Sequence, residues 1–67
     1  MQLIINGKSR DFESANLSVA DLVSALKLEG KRLAVEWNGE IVPRSRFFET
    51  QLSDGDKLEI VGAVGGG

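Results

Sequence analysis

The residues at the end of the chain are the ones whose types and spacing could support chemistry. Four of the last six residues, 62–67, are glycine, and none of the six carries a charged side chain. Because glycine lacks Cβ, such a run can pass through a narrow channel in backbone conformations that other residues rarely adopt. We therefore expect residues 62–67 to form a flexible tail that presents the carboxylate of Gly67 to other proteins.

A terminal carboxylate needs help before it can react. It is a poor electrophile, and it must become a mixed anhydride, such as an acyl-adenylate, before sulfur or nitrogen can displace a leaving group. That activation requires ATP and an enzyme elsewhere. A glycine linker added by cloning is the alternative reading, but residues 61–64 continue from a predicted strand and include apolar residues that linkers usually omit.

The side chains offer little catalytic chemistry. The chain has no His, Cys or Tyr, so the usual near-neutral proton carriers are missing and we expect no enzymatic activity. Asp54 and Asp56 could suggest a metal site, but their surroundings lack the further ligands of a calcium-binding loop, and we interpret them as turn residues. The two Asn-Gly pairs, at 6–7 and 38–39, are interpreted as hairpin turns and not as phosphate-binding loops.

The composition is typical of one small soluble domain. The chain has 67 residues and a formal net charge of −2, and this charge argues against nucleic-acid binding. No apolar run approaches the roughly 20 residues that cross a bilayer, and no signal peptide is recognisable. We expect a cytoplasmic protein that is monomeric when isolated and that binds neither a membrane nor a metal.

The hydrophobic pattern predicts an α+β domain. Apolar residues alternate in the predicted strands, whereas Val19, Leu22, Val23 and Leu26 have helical spacing. Ser18 and Asp21 resemble a capping box, and Gly30 suits the position that closes a helix. The predicted elements are strands at 2–5 and 8–12, a helix from Ser18 to about Leu28 or Glu29, strands at 33–37 and 40–42, an irregular or 3₁₀ turn within 44–51, and a strand at 57–61.

Some apolar and basic residues are candidates for partner contacts. Arginine and aromatic side chains often dominate interfaces, so the candidates are Ile41, Arg44, Phe47 and Phe48. The alternative is that one phenylalanine is buried and that the arginines are solvated. Trp37 is expected in the core or at its rim.

Three segments together resemble a known family. Residues 1–7, 34–44 and 52–56, followed by the glycine tail, are similar to the ThiS sulfur carriers of thiamin biosynthesis, within the ubiquitin-like β-grasp proteins. The resemblance implies a mixed sheet of four to five strands packed on one helix, with the first and last strands parallel and adjacent in the centre. It implies a β-grasp domain at 1–61 and a flexible tail at 62–67.

The resemblance also implies a reaction sequence. A ThiF-like adenylyltransferase would activate the Gly67 carboxylate with ATP, and sulfur mobilised by an enzyme such as a cysteine desulfurase would convert it to a thiocarboxylate. A ThiG-like thiazole synthase would then receive the sulfur. Gly65, Gly66 and Gly67 would thread through the partners' active sites, although many relatives have only two terminal glycines. The chain itself would bind no cofactor.

Three alternatives remain open at this stage. A molybdopterin-synthase small subunit shares the fold, the tail and the thiocarboxylate chemistry, although those chains are usually longer. A ubiquitin-like interaction domain would bind through Ile41, Phe47 or Phe48 and have a chemically silent end. An enzyme is the third class, and the missing side chains argue against it.

Overall fold

The computed structural model describes residues 1–62 and contains one mixed five-stranded sheet and one helix. The predicted conformation of the tail beyond Gly62 lies outside the described residues. The strands are β1 (Gln2–Ile5), β2 (Lys8–Asp11), β3 (Leu33–Trp37), β4 (Glu40–Val42) and β5 (Lys57–Gly62), with helix α1 (Val19–Ala25) and a 3₁₀ turn at Arg44–Arg46. Across residues 1–62, no helix has the length and apolar character needed to span a bilayer.

The strand order is β2-β1-β5-β3-β4. The first and last strands are adjacent and parallel, and the other pairings are antiparallel. This arrangement confirms the predicted fold class and the predicted central pairing. β5 also includes Gly62, which pairs with Leu33, so the last strand is one residue longer than predicted.

Two tight turns connect the antiparallel hairpins. Asn6 and Gly7 have φ angles of 51° and 82°, and Asn38 and Gly39 have φ angles of 50° and 90°. Positive φ at both central residues defines the type I′ turn, whose twist matches that of the flanking strands. The prediction of two Asn-Gly hairpins is therefore confirmed.

The start of α1 is fixed by the predicted capping box. Asp21 donates its backbone N–H to the Ser18 hydroxyl at 3.0 Å, and Ser18 donates its N–H to the Asp21 carboxylate at 3.0 Å. These two bonds satisfy two of the donors that a helix leaves free at its first turn. The shorter Asp side chain therefore takes the place that Glu usually has.

The end of α1 differs from the prediction. The helix ends at Ala25, not near Leu28 or Glu29, and Lys27 rather than Gly30 takes the left-handed conformation that closes it, with a φ of 59°. The N–H groups of Lys27 and Leu28 donate to the carbonyls of Ser24 and Val23, as in a Schellman motif. Apolar spacing continues past this point because Leu26 and Leu28 still pack against the core.

The core lies between one face of the sheet and α1. Its fully buried side chains are supplied by β1, α1, β3 and β5, and the largest are Leu3, Leu22, Leu58, Val19 and Val35. Phe47 and Leu52, from the segment that follows β4, close one side. A domain of this size buries only about 60% of its unfolded surface, so each core side chain contributes a large share of the stability.

Asp56 connects the turn before β5 to Trp37. Its carboxylate accepts hydrogen bonds from the Trp37 indole N–H at 2.8 Å, the Ser53 backbone N–H at 2.7 Å and the Asn38 side-chain amide at 3.2 Å. Partial burial acts to raise the pKa of Asp56, but these hydrogen bonds outweigh it and hold the pKa below its usual value. The half-buried indole therefore has an ionised partner.

This lowered pKa makes a prediction about acid stability. The ionised Asp56 stabilises the fold above its unfolded pKa of about 3.9, and this contribution is lost as the pH falls through the lower folded value. We expect Asp56→Asn to reduce the free energy of unfolding more at about pH 7 than at about pH 3. Urea unfolding followed by circular dichroism measures both differences.

A second variant isolates the tryptophan's share of this effect. Trp37→Phe removes one donor to Asp56, so it should make the Asp56→Asn difference between the two pH values smaller. An Asp56→Asn effect of equal size at both pH values would show that the carboxylate's charge contributes nothing to stability.

Candidate functional site

The candidate site is the point where β5 leaves the centre of the sheet. On one side, β3 pairs with β5 along its length, up to the pair Leu33 and Gly62. On the other side, the ladder with β1 ends where Ile5 pairs with Leu58. Pairing between strands alone therefore leaves the part of β5 beyond Leu58 with a neighbouring strand on one side only.

The side chain of Asn6 takes the place of a strand at this point. Its amide donates to the Ile60 carbonyl at 3.0 Å, and its oxygen accepts the Ile60 N–H at 2.8 Å. The Asn6 backbone N–H also donates to the Leu58 carbonyl at 2.9 Å. One residue thus forms the hairpin turn and extends the parallel pairing to within two residues of Gly62.

Asn38 has the corresponding role at the start of β5. Its side-chain oxygen accepts the Lys57 N–H at 2.9 Å, and its backbone N–H donates to the Lys57 carbonyl at 2.8 Å. Both turn asparagines therefore hold an end of the same strand. The sequence analysis identified the turns but missed these bridges; the available signal was the choice of Asn over Asp, since only the amide both donates and accepts.

The tail residues named from the sequence, Gly65, Gly66 and Gly67, lie outside the described residues. The structure does fix the strand that precedes them, and it leaves Gly62 uncrowded. Among residues 1–62, a Cβ built on Gly62 would meet no heavy atom within 4 Å, so the described part of the chain does not crowd this position.

The four predicted contact residues do not form one surface. Ile41 is 66% exposed on the sheet face opposite α1, and Phe48 is 83% exposed on the α1 side. Phe47 is buried in the core, which removes it from the candidate surface. Arg44 is exposed near Phe48, and its guanidinium donates to the Lys31 carbonyl at 2.6 Å.

The sheet face opposite α1, called the open face here, carries a residue that the sequence analysis did not select. Val61 is 57% exposed on this face and pairs with Ala34, while Ile41 pairs with Glu36. Glu36 also pairs with Glu59, so two carboxylates lie beside the apolar side chains. The open face therefore combines exposed apolar and acidic groups next to the end of β5.

Comparison with known proteins identifies similar chains of the same size. The model of the ThiS family matches residues 3–67. The sulfur carrier protein ThiS of Bacillus subtilis is 40% identical over 65 residues, covering 97% of this chain and 98% of that protein. A crystal structure of the thiamine biosynthesis protein ThiS from Geobacter metallireducens has a TM-score of 0.87 and 39% identity, with full coverage of both chains.

A longer protein is also similar. A thiazole synthase of Paramagnetospirillum magneticum is 48% identical over 67 residues. The match covers all of this chain but only 20% of that protein, so the chain spans a fifth of that relative's length.

The Asn6 bridge makes a prediction about the end of β5. Asn6→Gly keeps a residue that tolerates positive φ but removes both side-chain hydrogen bonds to Ile60. We expect the free energy of unfolding to fall by roughly 1–2 kcal/mol and the Ile60 amide to exchange faster with solvent. Urea unfolding and amide hydrogen exchange measure the two effects.

The matched control for this prediction is Asn16→Gly. Asn16 is exposed in the loop before α1, and its named hydrogen bonds use backbone atoms only. Its substitution should leave Ile60 exchange unchanged. Equal exchange at Ile60 in wild type and Asn6→Gly would show that the side chain does not hold β5.

Proposed function

The chain belongs to the ThiS family, and from that premise we propose that it is a sulfur carrier protein of thiamine biosynthesis. Its working group is the carboxylate of Gly67, and it acts as a substrate of its partners, not as a catalyst. The observation that carries this proposal is that the family match continues through residue 67. The strand that precedes the tail pairs with β3 up to Gly62 and is hydrogen-bonded to Asn6 at Ile60.

The first step is activation by a ThiF-like adenylyltransferase. A Gly67 carboxylate oxygen attacks the α-phosphorus of ATP and pyrophosphate leaves, giving an acyl-adenylate. This chain contributes only the acyl group and the backbone that delivers it, since it has no His, Cys or Tyr for proton transfer. The absence of cysteine also removes a thiol that could attack the activated end.

The second step replaces oxygen by sulfur. The terminal sulfur of a persulfide, formed by an enzyme such as a cysteine desulfurase, attacks the acyl carbon, and AMP leaves with the electrons of the C–O bond. A thiol then reduces the S–S bond of the acyl disulfide by two electrons and releases the thiocarboxylate. A thiazole synthase then accepts this sulfur. We place these reactions in the cytoplasm, where ATP is available.

The open face is the proposed docking surface for the adenylyltransferase. An enzyme that receives the tail must approach the end of β5, and Val61 is the residue next to Gly62. Ile41 and Val61 supply exposed apolar area on that side, with Glu36 and Glu59 close by. Apolar contacts bordered by charged groups are the usual composition of a specific protein interface.

The thiazole synthase relative supports the choice of the final acceptor. In that protein, the region similar to this chain makes up 20% of the polypeptide, and the remainder is other sequence. Linking a carrier to an acceptor raises the effective concentration of one for the other without new contacts. A carrier on a separate chain would have to bind the acceptor through its own surface, and that surface would then be part of its function.

The Gly67 assignment predicts a mass change. Incubation with a ThiF-like adenylyltransferase, ATP, a cysteine desulfurase, cysteine and a thiol reductant should replace one oxygen of the chain by one sulfur, as measured by intact mass spectrometry. Deleting Gly66 and Gly67 should abolish the change, because the acyl group can no longer reach the partner's reacting atoms.

The control for the deletion is Ser45→Ala, an exposed change in the 3₁₀ turn that should react like wild type. Sulfur uptake by the deleted chain would contradict the assignment of Gly67. Full thiazole formation in cells that contain only the deleted chain would instead favour an interaction domain with a silent end.

The docking surface predicts a change in binding. Ile41→Asp places a charge in the apolar part of the open face, so affinity for the adenylyltransferase should fall about tenfold or more. Stability should change little because Ile41 is exposed. Phe48→Asp makes the same change on the α1 side and should bind normally; equal effects of the two variants in calorimetric titrations would rule out the open face as the specific surface.

A further inference from the structure

A groove of about 550 Å³ lies between the edge strand β2 and the end of α1. Ile5 and Ile60 form part of its apolar lining, and Leu26 and Leu28 contribute from the end of α1 and the turn after it. Two cations, Lys8 and Arg10, line it from β2. We call it the basic groove.

The register explains why both cations face this groove. Lys8 pairs with Ile5, and Arg10 pairs with Leu3, so the two cations lie on the face of the sheet that carries the core. The Arg10 guanidinium lies 5.9 Å from the centre of the Phe12 ring, which favours one orientation for it. Within residues 1–62, neither cation takes part in a salt bridge.

The charge of the groove is opposite to that of the whole chain. The formal net charge is −2, yet both charged residues that line the groove are basic. Charged side chains protect an edge strand against pairing with another chain, and for that purpose they can lie on either face of the sheet. Here Lys8 and Arg10 share one face, while Ser9 and Asp11 occupy the other. The groove therefore combines apolar area with two positive charges that an anionic group can approach.

The backbone beside the groove favours an extended occupant. β2 is an edge strand, and all four of its residues are exposed. In the hairpin, Lys8 and Arg10 exchange hydrogen bonds with β1, so the backbone groups of Ser9 and Asp11 point away from the sheet. A strand added at this edge would place every second side chain over the basic groove.

We propose that the basic groove binds an extended acidic segment of an enzyme that receives the tail, with two carboxylate side chains two residues apart facing Lys8 and Arg10. An apolar side chain on the same face of that segment contacts Leu26 and Leu28. The position supports a tail-receiving enzyme, because Ile60 lines the groove and is two residues from Gly62. This inference rests on the proposed function.

The test compares two double variants with equal net charge. Lys8→Gln/Arg10→Gln removes the groove cations, and Arg32→Gln/Arg46→Gln removes two exposed cations elsewhere. Both lower the formal net charge from −2 to −4, so the two variants differ in where the cations are lost and not in net charge. Calorimetric titrations with the adenylyltransferase and with the thiazole synthase, at low and high salt, give the affinities.

The groove variant should bind at least one of the two enzymes about tenfold more weakly at low salt, with a smaller salt dependence, while the control variant binds like wild type. Wild-type affinity of the groove variant for both enzymes would overturn the proposal and leave the sulfur-carrier function intact. If wild type binds neither enzyme, the proposed function and the groove fail together.

A crosslink identifies the occupant directly. A photoreactive leucine analogue in place of Leu28, which lines the groove, leaves both cations in place. Irradiation of the complex should link it to a segment of the enzyme with Asp or Glu at alternate positions, found by peptide mass spectrometry. A linked segment without acidic residues would overturn the proposed chemistry of the partner.

Discussion

The fold and the proposed function both depend on how β5 is held in the centre of the sheet. A central strand needs backbone partners on both sides, yet β1 is shorter than β5 and its ladder stops at Ile5. The Asn6 side chain supplies the missing donor and acceptor to Ile60. Hydrogen-bonded backbone therefore continues almost to the end of β5. The strand that precedes the glycine-rich tail thus has a fixed position.

The small size of the domain determines where its free surfaces lie. One helix covers one face of a five-stranded sheet, so the open face has no cover among the described elements. The helix is also short, and because it ends at Ala25 it leaves the basic groove between Leu28 and β2. A longer helix, as the sequence predicted, would continue past the position where the groove now begins. Both candidate docking surfaces therefore follow from how little secondary structure packs on the sheet.

Local signals in the sequence predicted most of the elements. The Asn-Gly pairs and the Ser18–Asp21 box act over two to three residues, and the structure confirms them. The bridge from Asn6 to Ile60 joins residues 54 positions apart, so the choice of Asn over Asp at the turn could suggest a bridge but not its partner. The left-handed residue that ends the helix, Lys27, was missed for another reason: glycine dominates that position, so a lysine there gives no signal. The central parallel pairing came from the family resemblance, because periodicity identifies strands but not their neighbours.

The distribution of carboxylates shows why the end of the chain is the candidate reactive group. Asp54 accepts the Gln2 N–H at 2.6 Å, and Asp56 accepts hydrogen bonds from the Trp37 side chain and the Ser53 backbone. The side chains that could suggest a metal site are thus used to hold the turn before β5 against β1 and β3. The chain has no histidine, cysteine or tyrosine, and in the proposed reaction the partners supply the proton transfer. In that proposal the chain contributes a fixed strand end, an acyl group and the candidate docking surfaces, so the specificity of the proposed reaction would reside in docking.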